Sequence, residues 1–119
     1  MTASRLIERA DALRPNHYSA EQKLSWLCRL DGQIYEELIK PRDAAALPPA
    51  EEYTAETELR ERGAYAEELY LCYLFAQIDL NNAEIQKYNQ SASLLAAAWR
   101  SLADSYNRKT PLKARAFRF

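Results

Sequence analysis

From Leu71 to Tyr106 one pattern holds without a slip. Leu71, Leu74, Ile78, Asn81, Ile85, Tyr88, Ala92, Leu95, Trp99, Leu102 and Tyr106 follow one another at alternating spacings of 3 and 4 residues, and only Asn81 is strongly polar. A strand would alternate with period 2, whereas a 3-4 alternation is an apolar seam with the 3.5-residue period of a packed helix. No glycine or proline interrupts the chain between Gly63 and Pro111. The seam is either one very long helix or two helices, broken near Asn81 and Asn82 or near Asn89 to Ser91, where good N-cap residues cluster. The break is preferred, because a bundle this small needs an antiparallel return.

Composition agrees with helices. The chain has 119 residues, 48% of them hydrophobic, with only two glycines and five prolines. It is long enough for one modest core and too poor in turn residues for a β-sandwich. We therefore expect an all-α fold, a small bundle of about four helices. The expected organisation is a single domain over 1–107, with an irregular loop at about 41–64, followed by a basic, flexible tail over 108–119.

Local signals place the first two helices. Leu6, Ile7, Ala10 and Leu13 recur at helical spacing, and Pro15 closes that helix after Arg14 because a residue before proline avoids the α region. In "YSAEQKLSWLCRL", Ser19 followed by Gln22 forms a capping box, with Tyr18 placed as a hydrophobic staple. Leu24, Leu27, Cys28, Ile34, Tyr35 and Leu38 then make one apolar stripe, Trp26 and Leu30 widen it, and Pro41 stops the helix at about Lys40. The segment "PRDAAALPPAEEYTAETELRERGAY" reads as an irregular connection with one short extended piece.

Leu69 to Ala76 carries no charge, which predicts a central helix covered on every side. Beyond it the sequence turns polar while keeping its tyrosines. A tyrosine adds apolar area yet wants a wet or hydrogen-bonded hydroxyl, so these rings suit either an interface or a half-wet core.

Cys28 and Cys72 are far apart, no CxxC occurs and His17 is the single histidine, so no metal-ligand spacing is present and two buried free thiols are expected. The start "MTASRLIERADAL" has no apolar signal core, and no stretch reaches about 18 apolar residues, so a soluble protein is expected. There is no Gly-rich phosphate loop, GxSxG or HExxH. Asp79 with Glu84, or Asp31 on the buried side of the second helix, could pair as carboxylates, but such pairs are commonly caps and salt bridges. We expect no enzyme, no catalytic, cofactor-binding or metal-ligating residues, and no cofactor.

Charge is unevenly placed. The net is −1, yet every acidic residue lies at or before Asp104, leaving the preceding body at −6 and the segment from Arg108 at +5. Between Asp43 and Glu68, eight acids face only Arg60 and Arg62. Two oppositely charged regions suit a self-complementary assembly, and a plain solvated surface is the competing reading. The candidate contact residues are Glu51, Glu52, Glu56 and Glu58 in the loop, and Arg108, Lys109, Lys113, Arg115, Phe117, Arg118 and Phe119 at the end.

Two stretches, "DALRPNHYSAEQKLSWLCRLDGQI" and "YLCYLFAQIDLNNAEIQKYNQSASLLAAAWRSLADSYNRKTP", resemble the head-tail connector (adaptor) proteins of tailed bacteriophages and prophages. The resemblance spans most of the chain. It is carried by Arg14 to Ser19, Trp26, Tyr73, Ala76 to Asp79, Asn82, Glu84, Tyr88, Asn89, Tyr106 to Arg108 and Pro111, whereas Ala92, Ala96 and Ala97 stand where bulkier Met and Phe are usual. It implies a non-enzymatic subunit with a small helical bundle fold. Such subunits assemble into a ring beneath the portal protein, typically a dodecamer, and link it to the stopper or tail-completion protein. The implied location is the virion or the bacterial host cytoplasm, with no membrane and with DNA met only through the ring lumen. Two other classes stay open. One is a small nucleic-acid-binding protein using Arg108 to Arg118 with Phe117 and Phe119 as stacking groups. The other is a helical regulatory protein that dimerises through the seam.

Overall fold

A computed structural model describes residues 1–109. It contains four α-helices, α1 (Ala3–Leu13), α2 (Ala20–Ile34), α3 (Ala64–Asn81) and α4 (Ile85–Lys109). The fold is the expected all-α bundle, and among the described residues the sole β feature is an isolated antiparallel bridge between Thr2 and Glu58. That bridge is the short extended piece read in the loop.

Several helix boundaries have a local cause. The Ser19 hydroxyl accepts the Gln22 N–H at 3.1 Å, as its capping position requires. Tyr18 meets the ring of Trp26 edge-on, with centroids 5.5 Å apart. α2 continues into a π-helical turn, Tyr35–Ile39, whose last bond runs from the Lys40 N–H to the Tyr35 carbonyl at 2.8 Å, five residues back. Pro41 then ends the helical path.

The seam breaks at Asn82 to Glu84, the first of the two positions the sequence offered. The turn is a Schellman motif: the Glu84 N–H reaches the Asp79 carbonyl at 3.0 Å and the Ala83 N–H reaches the Leu80 carbonyl at 3.0 Å. Ala83 occupies the left-handed position at φ 58°. α4 therefore returns antiparallel along α3.

α3 is the central element, with α4 packed along one side and α1 and α2 on the other. Its residues Leu69, Tyr70, Leu74, Ala76 and Ile78 are buried, joined by Leu6, Leu27, Leu30 and Ile34 from α1 and α2. The uncharged stretch is indeed the covered core helix. α4 rests chiefly on α3, so only its Ser91, Ala98, Leu102 and Ser105 are buried, while Leu95 and Trp99 are partly covered.

Two expectations change, and a third lies outside the described residues. Cys72 is buried but Cys28 is partly exposed; both are free thiols. Arg108 and Lys109, assigned from sequence to the tail, form the last turn of α4, because no helix breaker occurs before Pro111. Lys113, Arg115, Phe117, Arg118 and Phe119 lie outside the described residues, as does the tail from 110 onward.

Candidate partner-contact surfaces

The loop over 41–63 is fixed to the bundle along its length. Tyr35 donates its hydroxyl to the Ala46 carbonyl at 3.1 Å, and the Arg60 guanidinium donates to the Leu47 carbonyl. The Cys28 thiol lies 3.4 Å from the carbonyls of both Ala50 and Glu51. Leu59 enters the core with 2% of its surface exposed.

The strongest anchor is Asp31. Its carboxylate is fully buried on α2, where it accepts the Tyr53 hydroxyl at 2.6 Å, the Arg60 backbone N–H at 3.1 Å and the Tyr70 hydroxyl at 2.5 Å. A carboxylate withdrawn from water needs such donors. Burial, reinforced by the adjoining Asp31 charge, pushes both phenols far above their ordinary range, so they remain donors at any physiological pH.

The loop also completes α1. The carbonyls of Thr57 and Ala55 accept the Ala3 and Ser4 N–H groups at 2.8 and 3.0 Å, supplying acceptors that a helix start lacks. Glu58 accepts the Met1 ammonium at 2.8 Å, a hydrogen bond and charge that lower its pKa. Of the four candidate glutamates, Glu58 is thus engaged within the chain. Glu51, Glu52 and Glu56 stand exposed on a fixed support.

The candidates do not form one site. Glu51 and Glu52 line a cleft beside α2 with Glu21, Arg29 and Tyr53. Arg108 and Lys109 line another, between the end of α4 and the start of α3, with Glu61 and Arg62. The basic end therefore faces part of the acidic loop within the same subunit. Arg62, which the sequence shows only as a counter-charge to the acidic loop, and Ser105, which it does not single out, belong to this second cleft; the seven-residue recurrence of Ser91, Ala98 and Ser105 is the available signal for the latter.

Several of the described residues that carry the connector resemblance lie at the two ends of the α3–α4 hairpin, where they act as clamps. At the turn end, Arg14 donates to Asp79 at 2.5 Å, Ser91 donates to the same carboxylate oxygen at 2.5 Å, and Arg14 also covers the face of Phe75. Beside them the Tyr18 hydroxyl donates to the Asn82 side chain at 2.6 Å. At the far end, the Tyr106 hydroxyl bonds to both Glu61 carboxylate oxygens at 2.8 Å, and Arg42 donates to Asn107.

These partners also answer the carboxylate question. Asp31 and Asp79 are held by separate donor sets, and Glu84 pairs with Lys87 at 2.7 Å. Among the described residues no group of three or more His, Cys, Asp or Glu is placed to hold a metal ion, and no helix is long and apolar enough to cross a membrane. Comparison with protein-family models, with curated proteins and with solved structures gave no match.

Proposed function

We propose that this chain is a head-tail connector subunit of a tailed phage or prophage, which forms a ring beneath a portal and links it to a stopper or tail component. The supporting observation is that the residues behind the resemblance are mutual partners. Arg14 with Asp79 and Tyr18 with Asn82 tie the first interhelix turn to the α3–α4 turn, in keeping with the small helical frame that the resemblance implies. Polar residues that touch across long sequence separations constrain one another, so their joint occurrence is more specific than any one of them.

In this reading, Glu51, Glu52 and Glu56 are the loop charges free to meet a basic surface on a neighbouring subunit or on the portal. Exposed pairs contribute only about 0 to 1 kcal/mol each and are screened by salt, so assembly relies on the portal to concentrate and orient subunits. A heterologous contact of this kind closes into a ring when the rotation between copies permits.

The test is to mix the full chain with the portal encoded beside it and to image the complex at low and high salt. A ring of this protein on the portal, weakening as salt rises, is expected. Reversing Glu51, Glu52 and Glu56 together to lysine should weaken the ring while the free subunit melts unchanged. A portal that never acquires the ring rejects the connector assignment, whereas a ring unaffected by the reversal rejects only the role of the loop.

A further inference from the structure

Because α4 rests on α3 and scarcely touches α2, a groove of about 330 Å³ stays open between α2 and α4. Tyr73 of α3, Leu30 of α2 and Leu95 and Trp99 of α4 line it. Ala92 and Ala96, one turn apart on α4, also line it and lack the bulk that would fill it. Leu95 and Trp99 belong to the apolar seam yet are only partly buried. Apolar surface left in water is surface that an occupant can still bury.

The groove points toward the end of α4. Leu30 and Gln33 of α2 stand beside residues 92 to 100 of α4, and Arg42, past the end of α2, donates to Asn107. The two helices therefore run side by side in the same direction. Toward that end the rims turn acidic. Glu37 lies about one turn beyond Gln33, and Asp104 lies one turn beyond Arg100. Both carboxylates are exposed, and neither has an ion-pair partner among the described residues.

The residues that follow Lys109 are "TPLKARAFRF", Thr110 to Phe119, and they lie outside the described residues. Pro111 cannot supply the donor that would carry α4 onward. At period 2, Lys113, Arg115, Phe117 and Phe119 fall on one side of this segment, two cations followed by two aromatic rings. That order matches the surface met on the way back along α4, acidic first and apolar after. The reach also matches. At the rise of a helix, Trp99 is about 15 Å and Ala92 about 25 Å from Lys109 along the axis. An extended chain from Lys109 spans about 26 Å to residue 117 and about 33 Å to residue 119, which leaves length for the reversal.

We propose that the segment 110–119 folds back along its own subunit, placing Lys113 and Arg115 against Asp104 and Glu37 and seating Phe117 and Phe119 in the groove beside Trp99. The aromatic rings supply the apolar area that the groove lacks, and the exposed charge pairs set direction more than strength. A groove filled in this way is closed to other partners until the segment leaves it. The inference does not rest on the connector reading.

The test uses the full chain labelled with ¹³C and ¹⁵N at neutral pH and low salt. Nuclear Overhauser contacts are expected from the Phe117 and Phe119 rings to the Trp99 indole and the Leu95 methyl groups. Phe117→Ser with Phe119→Ser should remove them, shift the Trp99 indole N–H resonance and raise acrylamide quenching of tryptophan fluorescence. Quenching reports on Trp99, because Trp26 is buried at 4% exposure. Asp104→Lys, an exposed change, should move the Trp99 resonance in the same direction, and it decides alone if the double variant loses its helical signal. If exchange broadens the Overhauser contacts, an indole shift that is independent of protein concentration decides. Mixed labelled and unlabelled chains separate contacts within a copy from contacts between copies. Contacts found only between copies, or a shift that grows with concentration, would overturn the proposal in favour of a second subunit as occupant. A Trp99 resonance unmoved by the substitutions would overturn it outright and leave the groove to a different partner.

Discussion

Tyr70 on α3 donates its hydroxyl to Asp31 on α2 across 2.5 Å in the interior, and the same oxygen accepts the Glu61 N–H at 3.0 Å. One phenol thus joins two helices and the end of the long loop. Tyr70→Phe leaves a buried carboxylate oxygen and a backbone N–H without a partner, and should cost about 1.5 to 3 kcal/mol in urea unfolding. Tyr53→Phe removes a half-buried donor to the same carboxylate and should cost less. Equal losses would show that Asp31 does not depend on the interior contact.

The seam predicts a second ordering. Leu74 is fully buried on α3, whereas Trp99 sits on the rim of a groove between α4 and α2. Leu74→Ala should cost about 2 to 5 kcal/mol, the range for a filled core site, and Trp99→Ala should cost less despite its greater size. Thermal melts of the two variants give the comparison directly.

A third expectation concerns the α3–α4 turn. Ala83 holds a left-handed conformation that costs an ordinary residue about 1 to 2 kcal/mol and glycine very little. The greater freedom of glycine in the unfolded chain offsets about 0.4 to 1 kcal/mol of that relief. Ala83→Gly should therefore raise stability slightly, by about 0.5 to 1 kcal/mol. A clear loss would mean that the methyl group makes a contact worth more than the strain.

Glu61 gives the fold a pH dependence. Burial raises its folded pKa, while the Tyr106 hydrogen bond pulls the other way without cancelling it. A carboxyl with a raised folded pKa contributes fully below its unfolded value and loses that contribution as pH climbs through the folded value. Stability should decline from the ordinary glutamate range upward until Glu61 is ionised, then level off. Urea midpoints measured at steps from pH 4 to pH 7 should show this slope in the natural chain and a flatter profile in Glu61→Gln.

The parts of the fold that were legible in the sequence are those with local causes. Pro15, Pro41 and the Ser19 cap act on their immediate neighbours, and the 3-4 spacing reports a face directly. The anchors of the loop were not legible, because Asp31 meets Tyr53 and Tyr70 from 22 and 39 residues away. By sequence the tyrosines suit an interface or a half-wet core, each with a wet or hydrogen-bonded hydroxyl. Tyr18, Tyr53, Tyr70 and Tyr106 do place their hydroxyls on side-chain acceptors, and what the sequence does not show is which acceptors, since these lie far along the chain. Trp99 was placed in the seam correctly, but periodicity cannot show that α4 leans on essentially one neighbour and leaves that residue at an edge. The candidate contact residues were found as charges, and what sequence could not supply was their separation into different clefts.

The caps that the loop provides to α1 impose an order on how the chain can come to rest during synthesis. A ribosome delivers α1 well before Ala55 and Thr57, and delivers Asp31 before Tyr70, so neither the first helix nor the interior of the second can settle when it emerges. Both must wait for the middle of the chain, with α1 short and held at its start by the Thr2 cap alone in the interval. The N-terminal half should then remain unfolded on the ribosome until α3 has cleared the exit tunnel, and lock in a single late step.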